Sequence, residues 1–223
     1  MSFGPPMIVS HEVLRAGYSN AISLEAFTHK DAATIVPFDN NDPALPYLGA
    51  YEPDILLDAS PKALMDRLSK DRWVTWGVWH DRRLTGVASQ MAGEEGESVY
   101  SIYLAAGFRG RGIGTLATAA VVHATFTDGL LHNVSSDFNQ HIPSIETSIH
   151  PKNQRSAEMC IRAGFVFVGF RRQSIKGRTF DWNDYILPNP RAGGLWPMRE
   201  EQRQQSAYCV EQMERKYKTV ILA

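Results

Sequence analysis

Cysteine is scarce: Cys160 and Cys209 are the only two in 223 residues, one inside an expected helix and one near the end. So few thiols suit a reduced, cytoplasmic setting better than a secreted one, and a core of this size needs no disulfide staples. Long apolar runs are missing as well. The longest helix-like apolar run, around 116–126, contains His123 and several threonines and falls far short of the roughly 20 residues that span a bilayer. It reads as a core helix. Residues 1–13 hold Pro5, Pro6, His11 and Glu12 without a continuous apolar stretch, so no signal peptide is expected. Charge of one sign is also lacking, since 23 Lys and Arg against 24 Asp and Glu leave a net charge of -1. That balance gives no global basic field and disfavours a nucleic-acid partner held by phosphate contacts. His132 and His141 have no Cys or acid at ligand spacing, so no metal is expected. The length fits one domain with appendages.

What is present is organised around 99–126 (VYSIYLAAGFRGRGIGTLATAAVVHATF): a β-rich run, a glycine-arginine turn and a small, apolar helix. Within it Arg109, Gly110, Arg111, Gly112, Ile113 and Gly114 match R-x-x-G-x-G. A turn opening a helix presents unpaired N–H groups and the positive end of the dipole, which suits a phosphate anion. Glycine lets the backbone approach that anion closely and take positive φ. A Rossmann fingerprint is excluded because the third glycine position holds Thr115, and a Walker A loop because no Gly-Lys-Ser/Thr follows.

A second stretch adds to the first. Ile149, His150, Pro151, Lys152, Asn153, Gln154, Arg155, Ser156 and Ala157, then Cys160, then Ala163, Gly164 and Phe165, form a strand, P-x-N, a short helix and Gly-Phe. Beyond it lies 169–187 (GFRRQSIKGRTFDWNDYIL), a closing hairpin. In this order the three stretches resemble the GCN5-related N-acetyltransferases (GNAT family), and the hairpin resembles their RimJ/RimL-like subgroup. The likeness covers roughly 72–187, with weaker support from about Ala21. It implies an α/β (α+β) fold: a mixed, twisted sheet of about seven strands flanked by helices.

Read in order, 21–27 (AISLEAF) alternates as a first strand. Residues 28–35 form a short helix, Thr28 at the cap and Asp31 where a capping box has its acid. Residues 37–61 hold five prolines and little periodicity; in the resembled fold Tyr47, Tyr51 and Asp54 would lie on the acceptor side or plug the core. Ser60 and Pro61 open a helix over 62–68. Strands follow at 73–79, 83–91 and 99–106, the first two joined through Asp81 and Arg82. The helix over 112–126 ends at Asp128 and Gly129, with glycine as its αL cap. A loop particular to this chain runs over 130–144. Then come a strand at 145–149, a helix at 153–163, and strands at 165–170 and 179–187 around Lys176 and Gly177. Residues 188–197 break the pattern. A polar helix over 199–217 carries Tyr208, Cys209, Met213 and Tyr217 as a narrow apolar stripe, for docking on its own chain or for a homodimer contact. The division expected is an acetyltransferase domain over 1–188 and an extension over 189–223.

The resemblance also implies a site. Acetyl transfer from a thioester to an amine needs the amine deprotonated, the oxyanion stabilised and the thiolate protonated. Acetyl-CoA would be the cosubstrate, its pantetheine arm along Ile102, Tyr103 and Leu104, with the backbone N–H near Leu104 as oxyanion donor. The pyrophosphate would rest on the N–H groups of Arg111, Gly112, Ile113 and Gly114, with Gly110 and Thr115 in the same turn. Arg109, Arg111 and Lys152 would add charge, the two arginines reading otherwise as solvated surface charges. Asn153, Ser156 and Cys160 share one helix face; Asn153 would contact the pantetheine and Ser156 would protonate the leaving thiolate. Many members carry a tyrosine where this chain has Cys160, which reads here as a buried small hydrophobe. The subgroup's strand glutamate is also absent, its place being Val99 and Tyr100. Glu97, acting through a water, is the base of first choice, with Tyr103, His150 and Glu146 as alternatives. Glu94, Glu95 and Glu97 read equally as a solvated turn.

The acceptor would be a primary amine attacked directly in a ternary complex: a protein N-terminus, an aminoacyl compound, an antibiotic or a polyamine. Residues 37–61 and 130–144 favour a shaped small-molecule pocket over an open peptide groove. The rival readings are a silent acyl-CoA sensor or scaffold, transfer of a longer acyl group, and action on aminoacyl-tRNA. No membrane partner is expected.

Overall fold

The computed structural model describes residues 2–3, 7–11, 22–28, 31, 73–127, 129–175, 178–192 and 198–221. Ten strands form one sheet: β1 (Ser2–Phe3), β2 (Met7–His11), β3 (Ile22–Ala26), β4 (Trp73–His80), β5 (Arg83–Ala92), β6 (Ser98–Leu104), β7 (Ser144–Ile149), β8 (Val166–Ile175), β9 (Arg178–Pro188) and β10 (Tyr217–Ile221). The described long helices are α1 (Ile113–Phe126), α2 (Gln154–Arg162) and α3 (Glu200–Lys216). All seven expected strands are there, as β3 to β9. The order is β10-β2-β3-β4-β5-β6-β7-β9-β8, with β1 beside β4. Only β1–β4 and β6–β7 pair in parallel, so the sheet is mixed.

Local chemistry explains several elements. Thr28 and Asp31 form a reciprocal capping box: the Thr28 N–H donates to Asp31 Oδ2 (2.7 Å) and the Asp31 N–H to Thr28 Oγ1 (3.4 Å). The rest of the expected 28–35 helix, the 37–61 segment with Tyr47, Tyr51 and Asp54, the 62–68 helix and the Lys176-Gly177 turn lie outside the described residues. Asp81 and Arg82 both take positive φ, 50° and 60°, which matches the two-residue turn that the strand twist favours. Helix α1 buries every residue except Gly114, Thr115 and His123. A helix apolar on nearly all sides belongs in a core, and its alanines let it lie close on the sheet. Thr118 and Thr125 are satisfied there by bonds to the Gly114 and Val121 carbonyls (2.8 and 2.6 Å).

Two expectations need correction at the helix ends. α1 ends at Phe126 as expected and Gly129 takes a positive φ of 71°, but the capping residue is Thr127, and the Gly129 N–H bonds the Gln140 carbonyl (2.9 Å). The Phe126 carbonyl instead accepts from Arg191 Nη1 (3.3 Å), whose Nη2 pairs with Glu214 of α3 (2.9 Å). The expected stripe of the tail helix holds at Met213 and Tyr217 but not at Tyr208. Ser206, Val210 and Met213 face inward, while Tyr208 is 56% exposed. Beyond it β10 pairs antiparallel with β2, so the two ends of the chain extend the sheet together. The 130–144 loop folds on its own chain, with Leu131, Phe138 and Ile142 buried.

Candidate active site

Strands β6 and β7 pair at only two positions, Ser98 with Ile145 and Val99 with Glu146. Beyond them β6 continues along β5 to Leu104 and β7 along β9 to Ile149. The two parallel strands therefore part, leaving one edge of β6 without a strand partner among the described residues after Val99. The Ala105 N–H donates to Thr85 on the β5 side (2.9 Å). By the alternation of a strand, the N–H groups of Leu104 and Ile102 point the other way, into the opening.

At the end of β6 the chain makes a 3-10 turn, Ala106–Phe108, and enters the glycine-arginine loop. Gly110 and Gly112 have φ of 75° and 82°, and Gly112 caps α1 with no side chain bonded to the first-turn amides. A Cβ at either glycine would meet none of the described residues within 4 Å. The turn is thus an open cradle of backbone amides at a helix N-terminus, the geometry an anion needs. Arg109 folds back instead of reaching outward: its Nε donates to the Leu104 carbonyl (2.8 Å) and its guanidinium lies 5.5 Å from the Tyr103 ring centroid. Arg111 is exposed beside Phe108, 5.8 Å from its centroid. Thr115 is half-buried one residue after Gly114.

Gly114 is where three elements meet. Its added Cβ would lie 3.0 Å from Met159 Sδ on α2 and 3.4 Å from Leu104 Cδ1 on β6. Beneath it the Tyr100 hydroxyl and Thr118 Oγ1 share a hydrogen bond (3.0 Å). Burial, partly offset by that bond, raises the Tyr100 phenol far above its ordinary range, so it braces and does not exchange protons. Asn153 caps α2, its Oδ1 accepting the Ser156 N–H (3.3 Å). Asn153 and Ser156 are both half-buried, whereas Cys160 turns into the core, where burial pushes its thiol up to about 12. The face shared by Asn153, Ser156 and Cys160 thus divides between site and core.

Side chains on β6 alternate. Tyr100 reaches α1, so Val99, and Glu146 in register with it, lie on the opposite face. Glu97 is drawn into its own turn: its Oε2 accepts the Glu95 N–H (3.0 Å) and its carbonyl accepts from Gly93 (2.8 Å). It also lies five residues before Ile102, about 17 Å along an extended strand. Glu146 is half-buried at the point where the strands part. Burial first, then the carboxylates of Glu97, Asp184 and Glu95, raise its proton affinity above the usual carboxylate range, with Arg171 opposing them. His150 moves the other way: burial, with Lys152 adding to it, lowers its pKa. Its Nδ1 accepts the Lys152 N–H (3.1 Å), and its ring meets Trp182 edge-on. Sequence reasoning missed the half-buried cluster of Ser148, Arg171 and Asp184 across β7, β8 and β9. Its only sequence signal is polar residues on alternate positions of neighbouring strands.

Among the described residues no helix is long and apolar enough to cross a membrane, and no group of three or more metal-ligating side chains occurs. No curated protein matches the chain. Solved structures do. RimJ of Mycobacterium smegmatis in complex with CoA-disulfide is 17% identical, covers 87% of this chain and 90% of its own, and superposes with a TM-score of 0.63. The microcin self-immunity acetyltransferase MccE in complex with acetyl-CoA and AMP is 17% identical over 75% of this chain and 92% of its own, with a TM-score of 0.57. A chimera of the spermidine N-acetyltransferase SpeG from Vibrio cholerae and hSSAT is 16% identical over 75% and 95%, with a TM-score of 0.58. These likenesses concern the fold. The acetyltransferase (GNAT) domain model matches residues 22–166, well over half of the chain and a span that includes the parted strands and the amide cradle: the chain belongs to the GNAT family of acetyltransferases.

Proposed function

We propose that the protein transfers an acetyl group from acetyl-CoA to a primary amine by direct attack in a ternary complex. The observation that carries this reading is the parting of β6 from β7 directly before an open, positive-φ turn at the start of α1. The residues fit coenzyme A: the amides of 111–114 would hold the pyrophosphate with no Cβ in the way at Gly112, and the inward N–H groups of Ile102 and Leu104 would line the arm. Acetyl-CoA supplies the activated acyl group; the rest is done by the chain. Arg109 braces the Leu104 carbonyl and Tyr103 at the mouth. Asn153 orients the first turn of α2 and so places Ser156, whose hydroxyl is the proposed proton donor to the departing thiolate.

For the proton on the amine, Glu146 supports the role better than Glu97. It stands where the strands part, and its proton affinity is shifted upward, the direction that makes a carboxylate a stronger base. Ile102 is three residues beyond Val99, about 10 Å along β6, and Leu104 five, about 17 Å. A glutamate side chain and one water cover the shorter span, so with Glu146 as base the Ile102 N–H becomes the favoured oxyanion donor, and Leu104 holds the arm. Glu97 then acts through its charge on Glu146.

Thiol release from acetyl-CoA, followed with a chromogenic disulfide, tests this against amino acids, polyamines, aminoglycosides, short peptides and aminoacyl-nucleotide mimics. Release that depends on one class of amine is expected and identifies the acceptor. Coenzyme A binding by calorimetry with no release from any pairing would overturn the catalytic reading in favour of an acyl-CoA sensor.

A further inference from the structure

Three adjacent strands are tied together on the face that carries Glu146. Arg171 of β8 makes a bidentate pair with Asp184 of β9, Nε to Oδ2 at 3.0 Å and Nη2 to Oδ1 at 3.2 Å. The same Nη2 donates to Ser148 Oγ of β7 (2.9 Å), and Ser148 donates to Asp184 Oδ1 (2.6 Å). Gln173 Oε1 accepts from Arg171 Nη1 (3.0 Å). The side chains of Arg171 and Asp184 are 39% and 29% exposed, so water screens the pair less than it does an open surface contact. Ser148 is two residues from Glu146 on one strand and therefore on the same face.

We propose that the Arg171–Asp184 pair, anchored by Ser148, is a positioning unit that sets the charge balance around Glu146 and with it the pH range in which the acceptor amine loses its proton. The inference rests on the reading of Glu146 as base. The groups acting on Glu146 are Glu97 and Glu95 from the β5–β6 turn, Asp184 from β9 and Arg171 from β8. The last two act with opposite sign, and the bidentate geometry fixes both at once. A neighbouring pair serves as an internal control. Arg172 and Asp181 are also bidentate (2.7 and 3.2 Å), but the Arg172 side chain is 66% exposed and neither residue acts on Glu146.

The test is the titration of the Glu146 carboxyl in full-length protein carrying 13C-labelled glutamate, its signal assigned by loss in Glu146→Gln. Arg171→Gln should move the midpoint to higher pH and Asp184→Asn to lower pH, while Arg171→Lys and Arg172→Gln leave it nearly in place. A role confined to holding the strands together predicts loss of stability in both variants without opposed shifts. Shifts of the same sign, or none, overturn the proposal; Asp184→Asn alone decides if Arg171→Gln does not fold. The underlying reading fails separately: undiminished thiol release by Glu146→Gln, with the amine that the wild type acetylates, would remove Glu146 as base while the titrations still report the coupling.

Discussion

Gly164 and Cys209 meet where the corner between α2 and β8 touches the tail helix: a Cβ on Gly164 would lie 2.9 Å from Cys209 Cβ and 3.0 Å from the Ser206 carbonyl. The glycine also holds a φ of 94°. The Gly-Phe signature is therefore constrained twice, by backbone conformation and by the backbone of α3 packed against it. Gly164→Ala should destabilise by about 2 to 4 kcal/mol, the strain of positive φ plus overpacking. Denaturant midpoints measure it, and a wild-type midpoint would refute the packing account.

Gly112 has the same kind of backbone, with φ of 82°, but none of the described residues lies within 4 Å of an added Cβ. Gly112→Ala should fold at a cost of about 1 kcal/mol, and the methyl group should spoil the amide cradle. KM for acetyl-CoA is expected to rise by about tenfold, one lost contact of roughly 1.4 kcal/mol, with a smaller effect on kcat. Steady-state kinetics at saturating amine separate the two.

Ser156→Ala removes a hydroxyl while its backbone N–H keeps the bond to Asn153. If the hydroxyl protonates the thiolate, kcat should fall by about 100-fold, within the usual range for a lost proton donor, and KM for acetyl-CoA should hardly change. Thermal unfolding should stay close to wild type. A matching rise in KM would instead assign Ser156 to binding.

Glu146 gives a stability prediction of definite sign. Its proton affinity is raised in the folded state, first by burial, so the native protein binds more protons than the unfolded chain as pH rises from the ordinary carboxylate value to the folded one. Stability from this group falls across that window. Glu146→Gln should accordingly be the more stable protein at neutral pH, with the difference vanishing below about pH 4. Urea unfolding at pH 7 and at acid pH reads it out.

Cys160 should be inert. With its thiol pushed up to about 12, only about one molecule in ten thousand carries the thiolate at pH 8. Cys160→Ala should keep activity within about twofold at a stability cost of roughly 1 kcal/mol. Alkylation of the native enzyme should leave Cys160 unmodified by mass spectrometry.

Local features were the most legible. The Thr28–Asp31 box, the Asp81–Arg82 turn and the uncapped glycine at the head of α1 depend on a few consecutive residues, so their chemistry is written in adjacent letters. The tail stripe was misread at Tyr208 for the opposite reason. Hydrophobicity alone favours Tyr208, but the inward side of α3 is set by packing that only the fold supplies: Cys209 meets Gly164 and Met213 is buried, while Tyr208 stays exposed. The end of α1 at Phe126 was legible, but not what meets its last carbonyl, because Arg191 lies 65 residues away. Strands β1, β2 and β10 were missed because they are short and find partners only in the folded sheet.

The seven central strands and the glycine-arginine turn could be read from the amino-acid order, since they rest on periodicity and on glycines at fixed spacing, and the resemblance of three motif stretches pointed to the family. Which carboxylate stands where the two strands part depended on the fold. Glu97 is consumed by its own turn, while Glu146 is placed by register with Val99 and tuned by charges from β8, β9 and the β5–β6 turn. Proton affinity depends on burial and on the distances to those charges, and neither quantity exists until the strands have paired.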